Sequence, residues 1–286
     1  MSRSMRDAIT LVTGATRGVG LGVARELGAA GATVYVTGRS QRGRTTDDLP
    51  GTVEEAALVV DEAGGRGIGV VCDHTRHTKV QALVRQIEKE QGRLDLLVNS
   101  VWGGYEAYDA RLFQLPAWEQ PIWRWDKMFE TGVRAHYVTT RAALPLLLTS
   151  RRPVVINVSA GDRGRFLGDV QYDVAKAAVD RLAYALARRH RHEGLIALSV
   201  HPGFTRTERV EDALDAADLD EATRAAELAQ THSPRYVGRA VVALYRDPAL
   251  KERSGGAYRV GDLGAEYGFT DIDGRVIEPF ELPEDL

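Results

Sequence analysis

Short runs of β-branched and aliphatic residues alternate along this chain with longer stretches whose apolar residues recur every three or four positions. The short runs are Ile9 to Val12, Thr33 to Val36, Ile68 to Cys72, Leu94 to Val98, Val154 to Val158 and Leu195 to Val200. Between the third and fourth, Val80, Leu83, Val84 and Ile87 form one helical face, and Val179, Leu182, Ala183 and Leu186 repeat the pattern after the fifth. Such alternation predicts an α/β fold, a doubly wound parallel sheet with helices on both faces. No linker rich in Pro, Gly or Ser and no repeat of about 20–50 residues interrupts it, so residues 1–286 read as a single domain. Three stretches after strands break the pattern: polar Ser40 to Gly51, aromatic Trp102 to Trp123 and acidic, helix-prone Phe204 to Pro234. The insertions near 102–123 and 204–234 are expected to shape a substrate site, because ligands of open α/β sheets bind beyond the carboxyl ends of the strands.

Charge narrows the partners. With 37 basic and 40 acidic side chains the net charge is -3, which offers no general attraction to nucleic acid or an anionic membrane. Cys72 is the only cysteine, so an intramolecular disulfide and a multi-cysteine zinc site are excluded. Met1 to Thr10 carries charges and no signal-like apolar run. The densest apolar stretch, Ala142 to Leu148, holds Pro145 and falls far short of the roughly 20 residues of a membrane span. A cytoplasmic protein is expected.

The first strand leads into Thr13-Gly14-Ala15-Thr16-Arg17-Gly18-Val19-Gly20 and then a helical pattern. Glycines in a strand-to-helix turn let backbone N–H groups approach a pyrophosphate at the helix N-terminus. Gly14, Thr16, Arg17, Gly18, Val19 and Gly20 are therefore candidate cofactor contacts of a dinucleotide-binding, Rossmann-type fold. The spacing also suits an ordinary glycine-rich turn. After the second strand, where an NAD-binding chain usually presents a carboxylate to the ribose, stand Arg39 and Ser40. Together with Arg17 they suit a 2′-phosphate, so NADP(H) is the expected cofactor. Asp73 could accept from the adenine amine or cap the following helix, and Asn99 could line the adenosine ribose.

The chemistry concentrates at Ser159, Tyr172 and Lys176. Tyr172 and Lys176 lie four apart on one helical face, and Ser159 ends the preceding strand. Ten Tyr, nine Ser and five Lys give about 0.006 chance triplets at this spacing, so coincidence is set aside. A tyrosine with an ordinary pKa of about 10 needs a neighbouring cation to act as a base, and Lys176 supplies one. In this reading Ser159 binds the substrate oxygen, Tyr172 exchanges the proton, Lys176 also holds the nicotinamide ribose, and no metal is required.

These motifs resemble those of the short-chain dehydrogenase/reductase superfamily, with Thr-Gly-x-x-x-Gly-x-Gly at 13–20 and Tyr-x-x-x-Lys at 172–176. The resemblance implies a catalytic set of Ser159, Tyr172 and Lys176, adenosine contacts at Asp73 and Asn99, and nicotinamide contacts along Pro202, Gly203, Thr205 and Thr207. A narrower likeness, to the subgroup called dehydrogenase/reductase SDR family member one, rests on Gly31 to Arg39, Trp125 to Tyr137 and Asp262 to Gly268, and implies NADPH-dependent carbonyl reduction. Relatives pair the helices predicted over about 121–150 and 170–192 across subunits, which implies a homodimer or homotetramer.

Two positions depart from the family pattern. Trp102 stands where glycine usually lets the cofactor pass. Gly132 stands where most members carry an asparagine that supports a water near the lysine. Gly132 either leaves a water path through its carbonyl or gives room for close packing. Trp102 and the aromatic residues up to Trp125, with Ser159 and Tyr172, are expected to line the substrate site, though single rings there could equally fill a core or a subunit interface. The leading expectation is an NADP(H)-dependent oxidoreductase acting on a carbonyl or alcohol of a hydrophobic small molecule. The alternative is an NADP(H)-binding regulator or scaffold that has lost turnover.

Overall fold

A computed structural model describes residues 4–46, 49–105, 109–217 and 219–282. Seven parallel strands form one sheet: β1 (Ile9–Thr13), β2 (Thr33–Gly38), β3 (Arg66–Val71), β4 (Leu96–Asn99), β5 (Val154–Val158), β6 (Ile196–His201) and β7 (Ala257–Arg259). Their order is β3-β2-β1-β4-β5-β6-β7, with Ile9 opposite Thr33 on one side of β1 and Thr10 opposite Leu96 on the other. The order reverses between β1 and β4, opening at their carboxyl ends the crevice that doubly wound sheets use for ligands. Six strands match the predicted runs. The seventh, only three residues long, was not anticipated because it is too short to show a period.

The central strands are buried on both faces, as their unbroken apolar runs require. One apolar layer holds Val12, Val34, Leu96, Val98 and Ile156 against α1 (Gly18–Ala29), α2 (Val53–Glu62) and the later helix Pro234–Arg246. The other packs Leu11, Tyr35, Leu97 and Val155 against α3 (His77–Gln91) and a long helical run after β4. That run comprises α4 (Ile122–Lys127), a π-helical stretch Met128–Arg134 and α5 (Ala135–Leu147). After β5 comes α6 (Val170–Arg189). The acidic insertion after β6 is helical as expected, as α7 (Glu208–Ala216) and α8 (Glu221–Ala229), and neither buries a residue. The helix Pro234–Arg246 is α9, and Val260–Tyr267 is α10. Among the described residues no helix is long and apolar enough to cross a membrane.

Two histidines stitch the second layer. His74, after β3, bonds Thr37 Oγ1 of β2 and Thr139 Oγ1 of α5, each at 2.8 Å. His136 on α5 donates from Nε2 to the Val101 carbonyl at 3.0 Å. Burial holds both neutral, with pKa values lowered to about 4 for His74 and about 3 for His136. Because both folded values lie below the ordinary 6.5, the unfolded chain takes up protons first as pH falls. The stabilisation is complete above about pH 6.5 and is lost toward pH 4. Each histidine should cost about 1.4 kcal/mol between pH 7.5 and 5.5. Urea melts at the two pH values should show this loss, and His74→Gln should remove about half of the histidine share.

Candidate functional site

The glycine turn closes the crevice at β1. Gly14 takes φ +65°, and a Cβ there would lie 2.9 Å from the Ser100 carbonyl oxygen, while one on Gly20 would overlap the Gly14 carbonyl. The Gly18 N–H at the start of α1 points at a carboxylate: Glu208 Oε1 and Oε2 accept from it at 3.1 and 2.9 Å. An N–H that takes a carboxylate here is free to point at an anion, and the turn fits a pyrophosphate on this ground. Thr207, at the end of the Pro202 to Thr207 segment, packs against Gly18. Thr205 bridges to His232, whose Nε2 also bonds the Pro202 carbonyl at 2.7 Å.

Beside the turn, Arg17 reaches Ser40 Oγ at 2.8 Å and the Thr46 carbonyl at 3.0 Å, and Arg39 is exposed at the end of β2. The three side chains expected at a 2′-phosphate thus follow adjacent loops. Asp73 accepts from the Thr75 N–H and hydroxyl in a turn that ends before α3 begins at His77, so it does not cap that helix. Burial raises its carboxyl, but the Thr75 hydrogen bonds and the Arg39 and Arg76 charges outweigh this and hold it below its ordinary value. Asn99 ends β4 with its side chain fully buried, donating to Thr140 Oγ1 at 3.0 Å and Asn157 Oδ1 at 2.9 Å, so its amide ties β4 to β5 and α5.

Across the crevice, β5 ends at Val158 and Ser159 follows, its Oγ donating to the Lys176 carbonyl at 3.0 Å. Tyr172 and Lys176 sit in the first two turns of α6. The start of that helix is fixed by Asp169, whose Oδ1 accepts from the Tyr172 N–H at 2.8 Å. Asp169 Oδ2 pairs with Arg124 of α4 at 3.0 Å, with side chains only 3% and 2% exposed, and the Arg124 guanidinium lies 4.2 Å from the Phe113 ring centroid. Sequence reading missed Arg124, Asp169 and Glu208. An aspartate three residues before Tyr172 is a visible capping signal, whereas nothing local marks the other two.

Lys176 is buried, and its Nζ lies 3.7 Å from the Trp102 ring centroid and 5.4 Å from that of Tyr172. Burial brings its pKa down to about 7, opposed by Asp180. Tyr172 keeps part of its surface exposed, yet burial and then the neighbouring Tyr105 push its hydroxyl well above 10. The expectation that Lys176 draws Tyr172 toward phenolate is therefore not met in this arrangement, where the ammonium rests on an indole. Trp102 meets Tyr172 edge to face at 5.5 Å, and Tyr105 joins Tyr172 at 6.4 Å and Phe113 at 6.2 Å.

The aromatic wall expected from Trp102 to Trp125 is divided. Trp102 and Tyr105 flank the tyrosine, with Phe113 against the far side of the cluster at Tyr105, whereas Trp118 is 84% exposed and Trp125 stacks on Phe129 at 4.2 Å in a groove against α6. Tyr108 lies outside the described residues.

A parallel sheet with a glycine turn at one side of its crevice and a serine, tyrosine and lysine at the other is the frame of a nicotinamide oxidoreductase. Residues 8–218 match the short chain dehydrogenase family, and the chain belongs to it. It is 35% identical over 285 residues to dehydrogenase/reductase SDR family member 1 of Mus musculus, covering 98% of this chain and 88% of that one. The protein of the same name from Homo sapiens is 33% identical with the same coverage. A short chain dehydrogenase from Mycobacterium thermoresistibile superposes with a TM-score of 0.79 at 24% identity, over 96% of this chain and 95% of that one.

The Asp169 linkage makes a testable demand. Asp169→Ala removes a helix cap, worth about 1 kcal/mol, and leaves Arg124 buried without its counter-charge, which costs about 3–5 kcal/mol. Asp169→Asn keeps the cap acceptor and should lose only the larger share. Urea denaturation should rank wild type above Asn and Asn above Ala.

Proposed function

We propose that the chain is an NADP(H)-dependent oxidoreductase that moves hydride between nicotinamide and a carbonyl or alcohol of a hydrophobic small molecule. The observation that carries this reading is the Tyr172 ring set beside the Lys176 ammonium and against the Trp102 and Tyr105 rings, across the crevice from the glycine turn. A protonated phenol is the form that carbonyl reduction consumes. In this reading Tyr172 donates the proton to the substrate oxygen, Ser159 hydrogen-bonds that oxygen, and Lys176 supplies positive charge and a ribose contact. The bound nicotinamide supplies the hydride. Gly14, Thr16 to Gly20 and the Pro202 to Thr207 segment hold the phosphates and the nicotinamide half. Asp73 receives the adenine amine, and Trp102, Tyr105 and Phe113 receive the apolar part of the substrate. Arg39, Ser40 and Arg17 select the 2′-phosphate. Cys72, buried with its thiol pushed up to about 12, takes no part and suits a reducing cytoplasm.

NADPH oxidation over a panel of ketones, aldehydes and quinones should show turnover that Tyr172→Phe abolishes. NADPH should bind at least about tenfold more tightly than NADH, and Arg39→Ala should erase most of that margin. Tight NADPH binding with no turnover in the panel, and no effect of Tyr172→Phe, would point instead to an NADP(H)-binding regulator or scaffold.

The groove on α4, α5 and α6 supports a homodimer or homotetramer. It encloses 910 Å³ and is lined by Trp125, Phe129, Val133, Tyr137 and Leu182, of which Trp125 and Tyr137 are exposed. A second copy would cover it by two-fold symmetry. Light scattering should return a multiple of 31.3 kDa, and Leu182→Arg should shift the species toward a monomer.

A further inference from the structure

Trp102 and Gly132 are two halves of one arrangement. A Cβ built on Gly132 would lie 2.5 Å from Trp102 Cε3 and closer still to Cζ3, a separation that real side chains do not show. At the opposite edge of the indole a Cβ on Gly104 would lie 2.6 Å from Cζ2 and 2.8 Å from Nε1. The ring is therefore set edgewise between two glycines, with room for no side chain at either position while it stays there. Gly132 sits in the π-helical stretch, where widened hydrogen bonding carries the Ala135 N–H back to the Glu130 carbonyl. Four residues on, His136 grips the carbonyl of Val101, the residue just before the tryptophan. The room left at Gly132 is thus taken by an indole rather than by a neighbouring helix.

One face of that ring lies under the Lys176 ammonium, 3.7 Å from its centroid, and the ring meets Tyr172 nearly at right angles. An aromatic face favours the charged form of a cation, and most strongly where water is excluded. We propose that Trp102, admitted by Gly132 and Gly104, is a positioning residue that holds the Lys176 ammonium by its ring face, in the space where the family pattern leads one to expect an asparagine at 132. The inference deepens the oxidoreductase reading of this site and rests on it for the role of Lys176, though not for the slot itself. The titratable groups facing Lys176 are Tyr172 and Asp180 from its own helix and His136 from α5, while Ser159 at the end of β5 holds the Lys176 main-chain carbonyl. Of the charged ones, Asp180 also favours the ammonium, while His136 stays neutral.

Two readouts on the full chain test the slot and the cation contact without any substrate. First, Gly132→Asn alone should lower the melting temperature by about 5 °C through overpacking, and should cost nothing further in a Trp102→Gly background. Equal losses in both backgrounds would overturn the slot. Second, with five lysines in the chain, lysine side-chain NMR can follow Lys176 through its titration. Trp102→Leu, which keeps the apolar bulk, should lower the Lys176 midpoint by about one pH unit, and Trp102→Phe should restore most of it. An unmoved midpoint in the leucine variant would overturn the cation contact. In the reductase assay the basic limb of the kcat profile should move to lower pH by the same unit in Trp102→Leu, and a purely structural role would leave that limb in place. If no substrate turns over, the melting and NMR results still decide the inference, so its failure and that of the reductase reading are told apart.

Discussion

The Asp169 carboxylate is the joint on which the chemical side of this molecule turns. One oxygen starts α6 by taking the Tyr172 N–H, and the other holds Arg124 from a helix 45 residues earlier in the chain. Both charges lie away from water, so neither is tolerable without the other, and the desolvation cost forces the two helices into one geometry. Through this pair the position of Tyr172 is coupled to α4, to the Phe113 ring stacked on Arg124, and hence to the aromatic loop after β4. The serine is tied to the same helix separately, through its bond to the Lys176 carbonyl.

The opposite side obeys a different constraint, close approach of backbone to backbone. Parallel strands bring β1, β2 and β4 to a common edge, and the turn after β1 fits there only because Gly14 and Gly20 carry no side chain. The same economy of volume recurs at Gly132 and Gly104, where the missing side chains admit a ring instead of a phosphate. Two positions that look like separate departures from a family pattern are one exchange of volume, a small residue accepting the bulk of a distant large one.

Much of this was legible in the chain itself. Six strands show as β-branched runs because both faces of a central parallel strand are buried, and the shared helix face of Tyr172 and Lys176 follows from their spacing of four. What was not legible joins residues far apart. Arg124 is an arginine among 37 basic residues until Asp169 is placed beside it, and Glu208 lies 190 positions from the Gly18 N–H it occupies. The partners of the Asn99 amide were hidden too, because strand register rather than residue type sets it beside Thr140 and Asn157. The aromatic cluster was read as one wall because proximity in sequence says nothing about which side of α4 each ring takes.

The helices α7 and α8 carry a consequence of their own. They follow β6 in the chain, yet bury none of their residues, and a tie to the frame is the Glu208 carboxylate on the Gly18 N–H. A segment with so little apolar area committed has a free energy of detachment far below that of global unfolding. The molecule thus joins a deeply buried parallel frame to a helical pair of low local stability, and the tie between them uses a helix N-terminal N–H, the kind of donor that anions favour.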